Sequence, residues 1–148
     1  MLEDIYNFLA LTETLLSSGM PTTGQMADVS KSGVQVVINL AMPTSESTLP
    51  DEAQLVESLG MKYIGIPVEW ENPTSENLKD FMDAMDTNKE KRMLVHCQAN
   101  YRATGFIALY RILRLGWDQS RAFQDLRRIW NPGDYPVWKK FIEENLAA

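Results

Sequence analysis

The chain has one cysteine and one histidine among 148 residues. A lone cysteine excludes an internal disulfide, so no oxidising compartment is implied. One Cys and one His do not make a zinc site, and no metal is expected. No stretch approaches the ~18 consecutive apolar residues of a membrane span. Positive charge is also short: 14 Lys and Arg against 20 Asp and Glu give a net charge of -6. That balance argues against nucleic acid or an anionic membrane as the main partner. The N-terminus lacks a basic region followed by an apolar core, so no signal peptide is expected, and a cytoplasmic location is the expectation. Repeats, linkers and low-complexity tracts are absent, which points to one domain over 1–148.

What is present is ordinary for a soluble globular protein: 45% hydrophobic and 23% charged residues. A chain of this length can bury roughly 70% of its unfolded surface. Four Trp, five Tyr and five Phe supply a core.

The spacing of apolar residues over 1–16 suggests a short helix or arm leading into an edge strand at Leu15-Leu16-Ser17-Ser18. Thr22 and Gln25 form a capping box for a helix ending at Ser32-Gly33. The β-branched run 34–40 reads as a strand covered on both faces, as in a parallel sheet. A polar loop, 41–50, precedes a helix from Asp51 to Leu59 that Gly60 stops. Strand 61–66 is halted by Pro67. After a loop over 68–73, Thr74 or Ser75 opens a helix to about Asp86. Strand 93–96 follows, then a helical pattern over 103–115 with Gly116 behind it. Asp118 caps another helix, Asn131-Pro132-Gly133 breaks the chain, and a last helix spans about 135–146. Strands alternating with helices predict an α/β fold with a central, mostly parallel sheet of four to five strands flanked by helices.

The single Cys and His stand side by side in Val95-His96-Cys97-Gln98-Ala99-Asn100-Tyr101-Arg102-Ala103-Thr104-Gly105, between a strand and a helix start. Unpartnered N–H groups and the dipole at a helix N-terminus attract an anion, and the same field favours a thiolate. Cys97 is then a nucleophile; taken without its surroundings, a lone Cys is a small buried hydrophobe. Arg102 offers a planar fork of donors to a phosphate or sulfate face. Thr104 could give its hydroxyl to the sulfur. Strand alternation turns His96 to the opposite face from Cys97, where it supports the loop backbone from behind or is simply a satisfied core histidine.

The run His96 to Gly105 resembles the phosphate-binding loop of cysteine-dependent tyrosine and dual-specificity phosphatases. Ser18-Gly19-Met20-Pro21, Gly33-Val34 with Val37-Ile38-Asn39-Leu40, and Gly60-Met61 with Tyr63 and Ile66-Pro67-Val68 recur in that order in the dual-specificity-like branch. The nearest resemblance is to the bacterial beta-lactamase-hydrolase-like phosphatases, whose loop reads His-Cys-Gln-Ala-Asn-x-Arg-Ala. The resemblance implies a thiol nucleophile at Cys97, a phosphocysteine intermediate, a phosphate clamp at Arg102, a loop of Gln98, Ala99, Asn100, Tyr101 and Ala103 around the anion, and no metal or other cofactor. The implied partner is a phosphorylated substrate, either a phosphoprotein or a small phosphate ester, or an inorganic oxyanion.

Two features depart from the family pattern. Only four residues separate Cys97 from Arg102 where five are usual. Aligned without a gap, Ala103 takes the arginine position, and one residue on a helix is about 100° of rotation. Asn100 stands where glycine is usual and tolerates the left-handed conformation. The family's general acid, an Asp after the Ile-Pro-Val strand, is also missing. Glu69-Trp70-Glu71 occupies that loop, and a Glu serves if burial keeps it protonated. Glu71 is preferred to Glu69, with surface carboxylates as the alternative for both. Trp70, Tyr101 and loop 41–50 bear on pocket depth. The short loop also keeps two rivals open: a catalytically weak anion-binding member of the fold, and a rhodanese-like sulfurtransferase carrying a persulfide on Cys97.

Overall fold

The computed structural model describes residues 1–43 and 49–147. Residues 44–48 of the loop expected to bear on pocket depth lie outside the described residues. The elements are β1 (Leu9–Ala10), β2 (Leu15–Ser18), α1 (Thr23–Lys31), β3 (Val36–Asn39), α2 (Glu52–Ser58), β4 (Lys62–Gly65), α3 (Ser75–Thr87), β5 (Met93–His96), α4 (Tyr101–Leu113), α5 (Gln119–Ala122), α6 (Gln124–Arg127) and α7 (Pro136–Ala147). They build an α/β fold around one five-stranded sheet of order β1-β2-β5-β3-β4. β1 runs antiparallel to β2, and the remaining pairs are parallel.

Strand β5 lies at the centre, with Ser18 of β2 and Asn39 of β3 both opposite His96. Because side chains alternate along a strand, its residues divide between two cores. Met93, Val95 and Cys97 join Leu15, Val36 and Ile38 against α3, α4, α6 and α7. Leu94 joins Leu16 and Val37 against α1 and α2. Phe81 and Phe106 meet edge to face at 5.6 Å in the first core, and both are fully buried. Burial of each such side chain contributes roughly 1.5–3 kcal/mol.

Helix α4 is apolar on all sides, and every residue from Arg102 to Arg111 is buried. Such a helix belongs in a core, and α4 runs directly out of the loop after β5. The capping box of α1 forms as the sequence indicates, with Thr22 accepting from Gln25 N at 3.1 Å, and α3 has one as well, with Thr74 accepting from Asn77 N at 3.0 Å.

Four expectations are corrected. Leu15–Ser18 is not the edge strand, because β1 pairs on its outer side; two residues are too short to leave a periodic signal. Asp51 is the N-cap of α2 by position, but its side chain caps nothing and its φ is 53°. The helix expected from Asp118 is two short helices meeting at Phe123. Helix α4 begins at Tyr101, two residues before the apolar pattern starts.

Removal of a cap hydroxyl costs typically about 1 kcal/mol. Thr74→Ala is therefore expected to lower unfolding free energy by about 1 kcal/mol in urea titration, with an unchanged m-value.

Candidate active site

Cys97 follows β5 at the C-terminal edge of the parallel strands, where α/β sheets place their sites. The loop beyond it is held by its carbonyls. Cys97 O lies 3.3 Å from His96 Nδ1. Gln98 O accepts from Met20 N at 3.0 Å. Ala99 O accepts from Asn7 Nδ2 at 3.0 Å. Asn100 O accepts from Thr104 N at 3.1 Å and Thr104 Oγ1 at 2.7 Å. In a planar trans peptide the N–H points opposite to the C=O. Each carbonyl tied outward therefore turns the next N–H the other way. The antiparallel bridge between Gly19 and Ala99 ties the loop to the end of β2, and among the described residues the N–H groups of Gln98, Tyr101, Arg102 and Ala103 have no acceptor. Free donors at a helix start favour an anion.

Asn100 makes this turn possible. Its φ of 69° is left-handed, and it is the N-cap of α4. Its Nδ2 donates to Asn7 O at 2.7 Å and to Ser17 Oγ at 3.1 Å. Asn accepts this conformation more readily than most residues, and its amide secures it here. Arg102 is the second residue of α4 and lines the same cleft as Cys97.

A cleft of about 660 Å³ opens above the loop. Cys97, Gln98, Ala99 and Arg102 line its inner end, and Tyr6, Met20, Trp70, Tyr101 and Tyr135 its walls. Cys97 is buried, and so is Arg102. The Arg102 guanidinium is anchored through Nη1 to Val68 O at 2.8 Å, while its Nε has no acceptor among the described residues.

His96 faces away from the cleft and is fully buried, with Nε2 2.6 Å from Glu52 Oε2. One nitrogen meets a carbonyl and the other a carboxyl. Satisfying both contacts takes two protons, one on Nδ1 and one between Nε2 and Glu52. The histidine supports the loop from behind, as strand alternation indicates. Its carboxylate partner left no sign in the sequence.

Two sequence assignments do not survive. Thr104 cannot give its hydroxyl to Cys97: the single proton is directed at Asn100 O, and the oxygen accepts from Trp130 Nε1 at 2.9 Å. Glu69 and Glu71 are exposed, and neither lines the cleft. The turn closed by Asn72 N on Glu69 O at 3.1 Å carries Trp70 inward between them.

The aromatic wall was only partly visible beforehand. Trp70 packs at 5.2–5.9 Å from the rings of Tyr101, Trp130, Tyr135 and Trp138. Trp138 Nε1 also donates to Trp70 O at 2.8 Å. Tyr101 stacks on Trp130 at 5.0 Å and 5°. Trp130, Tyr135 and Trp138 arrive from a distant part of the chain. Met20, by contrast, lies in the quoted Ser18-Gly19-Met20-Pro21 run.

Residues 10–133 match the family described as DSP-PTPase phosphatase fused to NAD+ kinase. The chain belongs to this phosphatase family. A DUF442 protein from Shewanella putrefaciens CN-32, named as a candidate phosphatase, is similar at 39% identity and a TM-score of 0.88, over 99% of this chain and 95% of that one. The dual specificity protein phosphatase TpbA of Pseudomonas aeruginosa is 23% identical over 124 residues, 82% of this chain. The match covers 54% of TpbA, so this chain spans about half the length of that relative. The core catalytic domain of the S. cerevisiae PP-IP phosphatase SIW14 shares the fold, with 18% identity and a TM-score of 0.75 over 94% of this chain and 85% of that one. Among the described residues of this phosphatase-family chain, no three His, Cys, Asp or Glu side chains group as metal ligands. No helix among them is long and apolar enough to cross a membrane.

Gly19 lets β2 approach the loop. A Cβ there would sit 2.7 Å from Gln98 O and 3.0 Å from Tyr6 O. Gly19→Ala is expected to destabilise the protein by about 1–3 kcal/mol. The measurement is the denaturation midpoint with and without orthovanadate, and the oxyanion should protect the variant less than the parent.

Proposed function

We propose that this phosphatase-family chain hydrolyses phosphate monoesters through a phosphocysteine on Cys97. The observation that carries this reading is a buried thiol just ahead of α4, whose first N–H groups have no acceptor among the described residues, with Arg102 lining the same cleft. The Cys97 thiolate attacks phosphorus, the S–P bond forms, and the bond to the leaving oxygen breaks. Water then attacks the phosphocysteine, releasing phosphate and restoring the thiolate. Phosphoryl transfer needs little from a protein beyond positioning and charge stabilisation. Backbone donors fixed before substrate arrives stabilise the equatorial oxygens without reorganising. Arg102 is the one side-chain cation in the cleft lining, and its guanidinium fork fits two of those oxygens. The tether to Val68 O fixes its direction.

The substrate is a phosphorylated protein side chain or a small phosphate ester. TpbA has been crystallised with phosphotyrosine, which makes an aryl phosphate the first substrate to assay. Purified protein is expected to hydrolyse it, to be inhibited by vanadate, and to lose turnover in Cys97→Ser. Arg102→Lys keeps the charge but loses the fork, and should reduce kcat/KM by roughly 100-fold or more. Phosphate protection against heat without any turnover from pH 5 to 8 would instead leave an anion-binding protein. Cys97-dependent sulfur transfer from thiosulfate to cyanide, with aryl phosphate untouched, would point to persulfide chemistry.

A further inference from the structure

Glu52 is a buried carboxyl that the reaction above does not use. It is the first residue of α2 and only 5% exposed. A carboxyl at that depth needs donors. His96 Nε2 lies 2.6 Å from its Oε2, and Asn39 Nδ2 donates to its Oε1 at 3.4 Å. Asn39 stands directly opposite His96 in the pairing of β3 with β5, so the two side chains share one face of the sheet.

The Asn39 amide has one orientation that suits its neighbours. Its Oδ1 accepts from Ala41 N at 2.8 Å, and its Nδ2 also donates to the Tyr63 hydroxyl at 3.2 Å. A backbone N–H must meet the amide oxygen, so the amide nitrogen is the atom that faces Glu52. Oε1 is thereby held by a donor, and Oε2 is the oxygen presented to His96. Across the imidazole, Nδ1 lies 3.3 Å from Cys97 O. Only a proton on Nδ1 can hold that carbonyl; a ring protonated on Nε2 alone would turn a lone pair toward it. The loop therefore requires a group at Nε2 that leaves the Nδ1 proton in place.

We infer that Glu52, oriented by Asn39, is a positioning residue for the anion-binding loop, and that the loop uses its reach and not its charge. This rests on the phosphocysteine reading and adds a residue that acts on the nucleophile from behind the sheet. Because the peptide unit is planar, the direction of Cys97 O sets that of the Gln98 N–H. Loss of the Nδ1 contact frees the Cys97–Gln98 peptide to rotate, and the donor and the nucleophile shift together.

Two conservative substitutions separate reach from charge. In Glu52→Gln the amide oxygen takes the place of Oε1 beside Asn39 Nδ2, which turns the amide nitrogen toward His96. That nitrogen donates to Nε2, a ring with one proton keeps it on Nδ1, and the contact with Cys97 O survives. In Glu52→Asp the charge is kept, but the carboxyl is one methylene short of its 2.6 Å contact with Nε2.

His96 is the only histidine of the chain, so its ring gives a single set of nitrogen signals. Long-range 1H–15N spectra are expected to show a proton on Nδ1 in the parent and in Glu52→Gln, and its loss in Glu52→Asp. Orthovanadate affinity should follow the same order, with Glu52→Gln within about 3-fold of the parent and Glu52→Asp weaker by roughly 10-fold or more. For Glu52→Asp, kcat on p-nitrophenyl phosphate should fall by up to roughly 100-fold, the cost of a small displacement of reacting groups. A role in stability alone would move the denaturation midpoints and leave the affinity and kcat of the folded variants at parent values. That result would overturn the proposal, as would weaker binding in Glu52→Gln than in Glu52→Asp, or a parent whose Nδ1 carries no proton. Should Glu52→Asp fail to fold, the parent spectrum and the vanadate affinity of Glu52→Gln decide the matter. If the parent binds vanadate without Cys97-dependent turnover, the phosphocysteine reading falls, while the ring-proton and affinity results still decide the role of Glu52. A parent that binds no oxyanion refutes both.

Discussion

The rest of the site depends on the planarity of four successive peptide units after Cys97. Each has its carbonyl tied to a different neighbour: His96 behind the strand, Met20 after β2, Asn7 on the N-terminal arm, and Thr104 inside α4. Because a planar trans unit has no freedom between its two dipoles, fixing one end aims the other. Among the described residues, the N–H groups at the start of α4 are left without acceptors of their own. Unpartnered N–H groups are costly in a folded protein. Here the surrounding packing holds them in place.

The two faces of the central sheet divide the work. Alternation along β5 sends Cys97 toward α4 and the cleft, and His96 toward α2 and Glu52. The buried His96–Glu52 contact secures the loop's first carbonyl from the side that substrate does not approach. On the other face, three of the four tryptophans gather around the cleft wall. Trp130 occupies the hydroxyl of Thr104, and Trp138 holds the backbone of Trp70. One set of aromatic contacts therefore shapes the wall, keeps the Thr104 hydroxyl from the thiol, and leaves Glu69 and Glu71 on the outside.

Much of the fold could be read from local patterns. The capping box of α1, the buried β-branched run around β3 and the strand before Cys97 each carry their signal within a few residues. What escaped detection had either no length or no local signal. The two residues of β1 are too few for periodicity. Tyr101 and Arg102 belong to α4 because Asn100 takes a left-handed turn, and Asn7 and Ser17, far away in the sequence, hold it there. The resemblance pointed to the loop from His96 to Gly105, and its missing residue left open where Arg102 would point. In the structure Arg102 lines the same cleft as Cys97.

The sequence by itself determined the alternation of strands and helices, the phosphatase family, and the pairing of a lone thiol with a helix start. All of these are written in neighbouring residues or in motif order. Only the tertiary structure decided which groups share the cleft. Tyr6, Trp70, Tyr101 and Tyr135 come from four separate segments, and no spacing within one segment records where another will pack. The same holds for the two glutamates. Their chemistry suited the role, but an acid must be buried near the leaving group, and burial belongs to the assembled fold.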